Sequence, residues 1–199
     1  RKAARPWVEV MEDESLRKLR DFLCTDGNLM NVGIILAEEF ALRRGEICAL
    51  RWRDYDGVYL HIRDTVKRLK VPKDETQHPG APKTALVFNS VKTESSDRHL
   101  AISPAMQAFL EAQRSRYYEL FEREAESDDF IVYSSAGGVT DPDNLSHYFT
   151  DLLDGLGLPH VKLHALRHTF ASMHLKHFHH LSGDYISFKI LRKADSGIA

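Results

Sequence analysis

The order of the hydrophobic repeats constrains the fold of this chain more than any other feature of its sequence. Apolar residues recur at helical spacing up to about residue 50, whereas residues 52–102 carry short alternating runs rich in β-branched side chains. Helical spacing returns from residue 103. This order predicts an α+β fold, a mainly helical domain with a small three-stranded antiparallel sheet inserted early.

Turn and capping residues set the expected boundaries of these elements. The predicted helices begin at Asp13, Met30, Arg44, Ser103, Asp141 and His164. The predicted strands are centred on Val58 to Ile62, Leu86 to Phe88 and His99 to Ile102, and Phe130 to Tyr133 is also strand-like. Three prolines and a glycine between Val71 and Lys83 predict a loop between the first two strands.

Composition excludes several classes of protein. With 199 residues, 43% hydrophobic and 28% charged, the chain suits one ordinary domain or two very small ones rather than a disordered, collagenous or repeat protein. No apolar run approaches the roughly 18 residues of a membrane span. Two cysteines, Cys24 and Cys48, are too few for a disulfide framework, so we expect buried thiols and a cytoplasmic protein.

Charge is divided unevenly although the formal net charge is only -2. Residues 111–143 carry nine acidic side chains against three arginines and are expected to face solvent. Residues 160–199 carry six basic side chains against two acidic ones, with seven of the eleven histidines. A phosphate-bearing partner would bind in the second region, although such a segment is also compatible with an ordinary solvated surface.

Two arginine-containing segments suggest chemistry. In the first, residues 42–46 read Leu-Arg-Arg-Gly-Glu, and Arg43 either pairs with Glu46 between two helices or points outward. In the second, helical spacing brings His164, Arg167 and His168 to one face. A guanidinium binds two phosphate oxygens while a histidine exchanges a proton near neutral pH, so the second segment suits a phosphate.

Together these segments resemble the tyrosine recombinases, the phage-integrase family of site-specific DNA recombinases. That family carries a Leu-Arg-x-Gly-Glu motif early in its catalytic domain and a His-x-Leu-Arg-His motif late. The resemblance covers about Val8 to Ala199 and implies that Arg43, His164 and Arg167 are catalytic, with Glu46 as the structural partner of Arg43.

The resemblance extends to the segment between the two motifs. The segment from Val91 to Arg98 looks like the family's β-hairpin, whose lysine reaches the scissile phosphate, and this resemblance implies that Lys92 is catalytic. The family commonly has Thr-Gly where this chain has Phe40-Ala41, a departure expected to affect packing alone. Basic residues beside the motifs are expected to bind DNA. They are Arg44, Arg98, Lys162 and His168.

The C-terminal segment departs further from the family pattern. Lys193 stands where the family has a catalytic histidine, and the nucleophilic tyrosine, about nine residues after that position, would lie about three residues beyond Ala199. Tyr185 is the only tyrosine after the second motif and follows Arg167 too closely for the family spacing. We therefore expect the nucleophile to be missing from this chain, with Tyr185 as the weaker candidate.

The resemblance implies cutting and rejoining of DNA strands through a 3'-phosphotyrosine intermediate, without a cofactor. The main alternative is a catalytically inactive DNA-binding remnant of a recombinase. A third reading is a metal-dependent hydrolase, since four histidines are closely spaced, but no acidic or cysteine ligand accompanies them. These histidines are His174, His177, His179 and His180. No metal site is therefore predicted.

The family also implies partners and domain boundaries. The partner is double-stranded DNA, and the full-length protein is expected to form a homotetramer on paired DNA sites, as an integrase of a phage or transposon, with no membrane contact. The first residue is Arg1 rather than Met. Residues 1–7 are therefore expected to be a linker from a missing N-terminal DNA-binding domain, and residues 8–199 a catalytic domain with an incomplete C-terminal end.

Overall fold

The structure is a computed structural model that describes residues 10–71, 82–90 and 97–170. Five helices are complete within these ranges: α1 (Asp13–Thr25), α2 (Asn31–Phe40), α3 (Arg44–Ala49), α4 (Pro104–Phe121) and α5 (Pro142–Gly155). Residues 165–170 are also helical. The strands are β1 (Tyr59–Ile62), β2 (Asp64–Lys70), β3 (Thr84–Ser90) and β4 (Arg98–Ala101). The α+β class is thus confirmed.

The described strands form two antiparallel pairs rather than one three-stranded sheet. β1 pairs with β4, and β2 pairs with β3. The first predicted strand ends at Ile62, because the residues that follow show little alternation. Val66 is buried, but the four residues from Lys67 to Lys70 are all exposed. A strand that leaves the core as a solvated ribbon lacks the period-2 pattern by which strands are recognised.

Three side chains, Asp13, Ser103 and Asp141, are predicted to cap helices, and two of them do so. The Ser103 hydroxyl accepts a hydrogen bond from the Met106 amide at 3.1 Å, and the Asp141 carboxylate accepts one from the Asp143 amide at 2.9 Å. The cap position of α1 is Glu12 rather than Asp13, without a side-chain hydrogen bond. The strand-like segment from Phe130 to Tyr133 forms only isolated bridges, Phe130 with Arg51 and Tyr133 with Val139.

Ala41 ends α2 in the left-handed conformation, with φ 51° and ψ 36°. A side chain costs about 1–2 kcal/mol in this conformation, which glycine adopts freely. The departure from the family's Thr-Gly therefore affects the backbone that leads into Arg43, and not packing alone.

One hydrophobic core joins the helices to the base of the strands. Leu19, Ile34, Ile47 and Phe149 are among its fully buried members. The Cys48 thiol is buried there, and its burial raises its pKa, whereas Cys24 is exposed, contrary to expectation. Cys24 occupies a turn at the C-terminal end of α1 that faces away from the buried leucines of that helix.

Helix α3 packs closely against β2 through a residue without a side chain. A Cβ atom added to Gly45 would lie 2.6 Å from the Thr65 Oγ1 and 2.6 Å from the Val66 carbonyl oxygen. Both distances are far shorter than a normal carbon–oxygen contact. Gly45 therefore sets the separation between α3, which carries the first arginine motif, and the strand beside it.

Candidate phosphate-binding site

Arg43 lies immediately before α3, and Glu46 holds it there. The Arg43 amide donates to Glu46 Oε2 at 3.0 Å, and its guanidinium Nη1 donates to Glu46 Oε1 at 2.8 Å. The Glu46 side chain is only 2% exposed, whereas that of Arg43 is 58% exposed. The two interpretations of Arg43 thus both apply, because one edge of the guanidinium is paired and the rest faces solvent.

A second guanidinium binds the same carboxylate. Arg98, at the start of β4, donates from Nη2 to Glu46 Oε2 at 3.0 Å. Burial alone would raise the pKa of Glu46, but the hydrogen bonds from Arg98 and Arg43 outweigh that effect and hold the pKa below its ordinary value. Glu46 is therefore ionised at neutral pH and balances one of the two arginines.

The second motif brings its two histidines and Arg167 together as the spacing predicts. The rings of His164 and His168 meet edge to face at 5.4 Å between centroids. Partial burial lowers the pKa of His164, and the neighbouring charges of Arg167 and His168 lower it further. Leu166 is fully buried in the core, whereas His164 is exposed just before the helix at 165–170 and Arg167 is half-buried within it.

The two motifs converge, although they lie more than a hundred residues apart in sequence. Partial burial lowers the pKa of Arg167, and the positive charge of Arg43 lowers it further. Arg98 adds to this effect, and Glu46 opposes it. The positive charge of Arg43 also lowers the pKa of His164. Three guanidiniums and one carboxylate therefore share one electrostatic environment, with an excess of positive charge.

Arg167 also contains a buried nitrogen without a hydrogen-bond partner. Within the described residues, no acceptor lies within reach of its Nη1, which is inaccessible to solvent. Leaving a buried charged donor unpaired typically costs more than the 1–3 kcal/mol of a neutral group. An anion bound at this cluster would supply the missing acceptor.

A groove of about 660 Å³ opens beside the cluster. One wall is formed by β2 and the other by α5 and residues 162–164, and Arg43 and His164 line it. The lining residues of the groove include two lysines, Lys67 and Lys162, and both are exposed. Lys67 is not among the residues expected to bind DNA, because the strand that carries it is not predicted from the sequence.

The other residues expected to bind DNA have different surroundings. Arg44 lines the groove but donates to Asp143 Oδ1 at 2.6 Å and to Ser146 Oγ at 3.3 Å. His168 is exposed beside His164. Arg98 is paired with Glu46 rather than placed on the open surface. Lys92 and Lys193 lie outside the described residues, as do Tyr185 and the four closely spaced histidines.

A sequence model of the phage integrase family matches residues 9–179. The chain belongs to the phage integrase family. This is the family of the tyrosine recombinases, which are DNA strand-exchange enzymes, and the resemblance inferred from the arginine motifs is confirmed at the level of the family and of its catalytic domain.

Relatives of known sequence or structure agree with this membership. A tyrosine recombinase XerC-like protein of Caldanaerobacter subterraneus subsp. tengcongensis is 26% identical over 172 residues, which are 83% of this chain and 43% of that protein. The XerA recombinase crystal structure is similar in fold, with a TM-score of 0.59 and 18% identity over 92% of this chain and 53% of that one. This chain thus spans about half the length of these relatives.

Two integrase structures are similar as well. The Tn1549 transposon integrase, solved in complex with transposon right end DNA, has a TM-score of 0.61 at 17% identity. The match covers 84% of this chain and 53% of the integrase chain. The lambda integrase catalytic core has a TM-score of 0.51 at 17% identity, over 84% of this chain and 83% of its own. The similarity in fold therefore extends over most of that catalytic core.

Two further observations concern sites that the described part of the chain does not contain. Within residues 10–71, 82–90 and 97–170, no helix is both long and apolar enough to span a membrane. Among the same residues, no group of three or more His, Cys, Asp or Glu side chains is arranged to hold a metal ion.

Proposed function

We propose that Arg43, His164 and Arg167 bind the scissile phosphate of duplex DNA, and that the full-length protein is a site-specific recombinase of a mobile element. It cuts and rejoins DNA strands through a 3'-phosphotyrosine intermediate. It acts in the cytoplasm as a homotetramer on paired DNA sites. The described residues support the first part of the proposal directly, and family membership supports the rest.

One observation carries the proposal most strongly. The Arg43 and Arg98 guanidiniums share the Glu46 carboxylate, and the positive charges of both lower the pKa of a third guanidinium, that of Arg167. Arg167 Nη1 is buried and donates to no described residue. Repulsion among these neighbouring positive charges costs free energy unless an anion offsets it. A phosphodiester carries the required negative charge, and its two nonbridging oxygens match the planar donors of two arginines.

The chemistry follows from the same groups. A tyrosine oxygen attacks phosphorus and the bond to the 5'-oxygen breaks, so negative charge grows on the nonbridging oxygens. Arg43 and Arg167 stabilise that charge, and preorganised donors of this kind typically contribute about 10²-fold or more to the rate. His164 holds the phosphate or assists proton transfer, and Lys92 protonates the leaving oxygen. Lys193 would donate to a nonbridging oxygen.

Binding to a labelled duplex tests the phosphate site. Arg167→Gln should weaken binding by about 10-fold at low salt, because a charge-assisted hydrogen bond to phosphate contributes about 1.5–3 kcal/mol. Arg17→Gln is the matched control, since Arg17 is exposed on α1 and does not line the groove. Equal affinities of both variants and the wild type would refute the assignment of Arg167.

Cleavage requires a separate assay. A nicked duplex that traps the covalent intermediate is incubated with the chain, and the products are separated on a denaturing gel. An adduct that forms with the wild type but not with Tyr185→Phe would make Tyr185 the nucleophile. We expect no adduct that depends on Tyr185. Binding without any adduct, in the full-length protein too, would favour the inactive remnant.

A further inference from the structure

We propose that Arg98 is a positioning residue that acts through Glu46 and keeps the Arg43 guanidinium available for phosphate, rather than a residue that contacts DNA. This inference rests on the proposed function, because it concerns the same phosphate site. It assigns Arg98 a role different from the one its basic character suggests in the sequence.

The contacts at Glu46 carry the argument. Oε2 accepts from both the Arg43 amide and Arg98 Nη2, at 3.0 Å each, while Oε1 accepts from Arg43 Nη1 at 2.8 Å. Because Arg98 binds Oε2, the Arg43 guanidinium meets Glu46 only through Nη1. The remaining donors of Arg43 are thereby left for another acceptor.

Loss of Arg98 would change how Glu46 is satisfied. A buried carboxylate that loses a charge-assisted hydrogen bond either protonates or recruits another donor. The nearest guanidinium is that of Arg43, which can form a bidentate pair with Glu46. Such a pair would turn Arg43 toward the protein and away from phosphate.

Burial distinguishes Arg98 from Arg43. The Arg98 side chain is 23% exposed, compared with 58% for Arg43, and its Nη2 donates to a carboxylate that is 2% exposed. Arg98 also begins β4, whose partner β1 is anchored in the core through Leu60 and Ile62. Arg98 is therefore held on a strand whose pairing partner is anchored in the core, which suits a positioning role.

The first experiment measures the pKa of Glu46 by NMR of its 13C-labelled carboxyl group. In the wild type this pKa should lie below the ordinary range. In Arg98→Met it should rise, because the hydrogen bond from Arg98, which most strongly opposes the effect of burial on this pKa, is lost. Arg98→Lys should restore much of the shift, since one donor suffices for Oε2. An unchanged pKa in Arg98→Met would overturn the proposal.

The second experiment is a double-mutant cycle read out by binding to a labelled duplex. Arg98→Met should weaken binding by about 10-fold in the wild-type background but have little effect in the Glu46→Gln background, where the carboxylate it holds is absent. Arg98→Lys should bind almost as the wild type does. Equal losses in both backgrounds would show that Arg98 contacts DNA directly and would overturn the proposal.

The two experiments also separate this inference from the proposed function. If the wild-type chain binds no duplex, the proposed function fails, while the Glu46 pKa still decides whether Arg98 controls that carboxylate. Circular dichroism checks that each variant folds. If Arg98→Met does not fold, Arg98→Gln replaces it, because glutamine keeps a neutral donor and the predicted rise in the Glu46 pKa still applies.

Discussion

Replacing Gly45 with alanine tests how closely α3 must approach β2 to place Arg43. The new Cβ would lie 2.6 Å from both the Thr65 Oγ1 and the Val66 carbonyl oxygen. Thr65 can rotate its hydroxyl away, but the Val66 carbonyl belongs to the β2 backbone, which pairs with β3. Because carbon–oxygen contacts are rarely shorter than about 3.3 Å, α3 must retreat by roughly 0.7 Å.

The size of the effect follows from two opposing contributions. Overpacking of this kind costs about 1–3 kcal/mol, and the higher helix propensity of alanine returns about 0.5–1 kcal/mol. The net loss of about 1–2 kcal/mol should lower the Tm by about 2–8 °C in a chain of this size. Duplex binding should also weaken, because Arg43 and Glu46 move with α3.

Calorimetry and duplex binding check this prediction together. The matched control is Gly155→Ala at the end of α5, where an added Cβ meets nothing within 4 Å. That variant should melt at or slightly above the wild-type temperature and bind DNA normally. If Gly45→Ala were as stable as the wild type and bound DNA equally well, the close contact between α3 and β2 would not control the position of Arg43.

Three further predictions concern single side chains. Ala41→Gly should stabilise the fold by about 0.5–1 kcal/mol in thermal melts, since Ala41 has φ 51°, and Glu122→Gly, at φ 52° after α4, should act in the same direction. Lys67→Met should weaken duplex binding and reduce the slope of log affinity against log salt by about 1, which a destabilised fold would not do selectively. The pKa of His164, followed by NMR, should rise in Arg167→Met because a nearby positive charge is removed, and an unchanged or lower value would mean that the two side chains do not interact.

Much of the helical framework could be predicted from the sequence, because its signals are local. Ser103 and Asp141 cap helices as expected, and prolines occupy the first turns of α4 and α5. The pairing of the strands could not be predicted in this way. β2 extends from the core as a ribbon whose outer residues are exposed, and its hydrogen bonds to β3 depend on a register that no local pattern encodes.

In the candidate site, too, some residues could be predicted from local sequence and others could not. Arg43 and the second motif could be selected as candidates because, taken together, the two short segments match motifs of the tyrosine recombinases. The contact between Arg98 and Glu46 could not be predicted, because the two residues lie 52 positions apart in sequence and meet only in the folded chain. Lys67 could not be predicted as a candidate DNA-binding residue for a similar reason, since it lines the groove only because strand β2 carries it there.

The most direct test of whether Arg43 and Arg167 bind one phosphate is a crystal structure of the chain soaked with tungstate. Tungstate is an analogue of phosphate that scatters X-rays strongly. The account predicts one anion bound between the Arg43 and Arg167 guanidiniums, within about 3 Å of a donor on each and beside His164. Its binding would pair the buried Nη1 of Arg167. Guanidiniums more than about 12 Å apart, or tungstate bound only at other arginines, would contradict the account, because two donors so placed cannot share one phosphate.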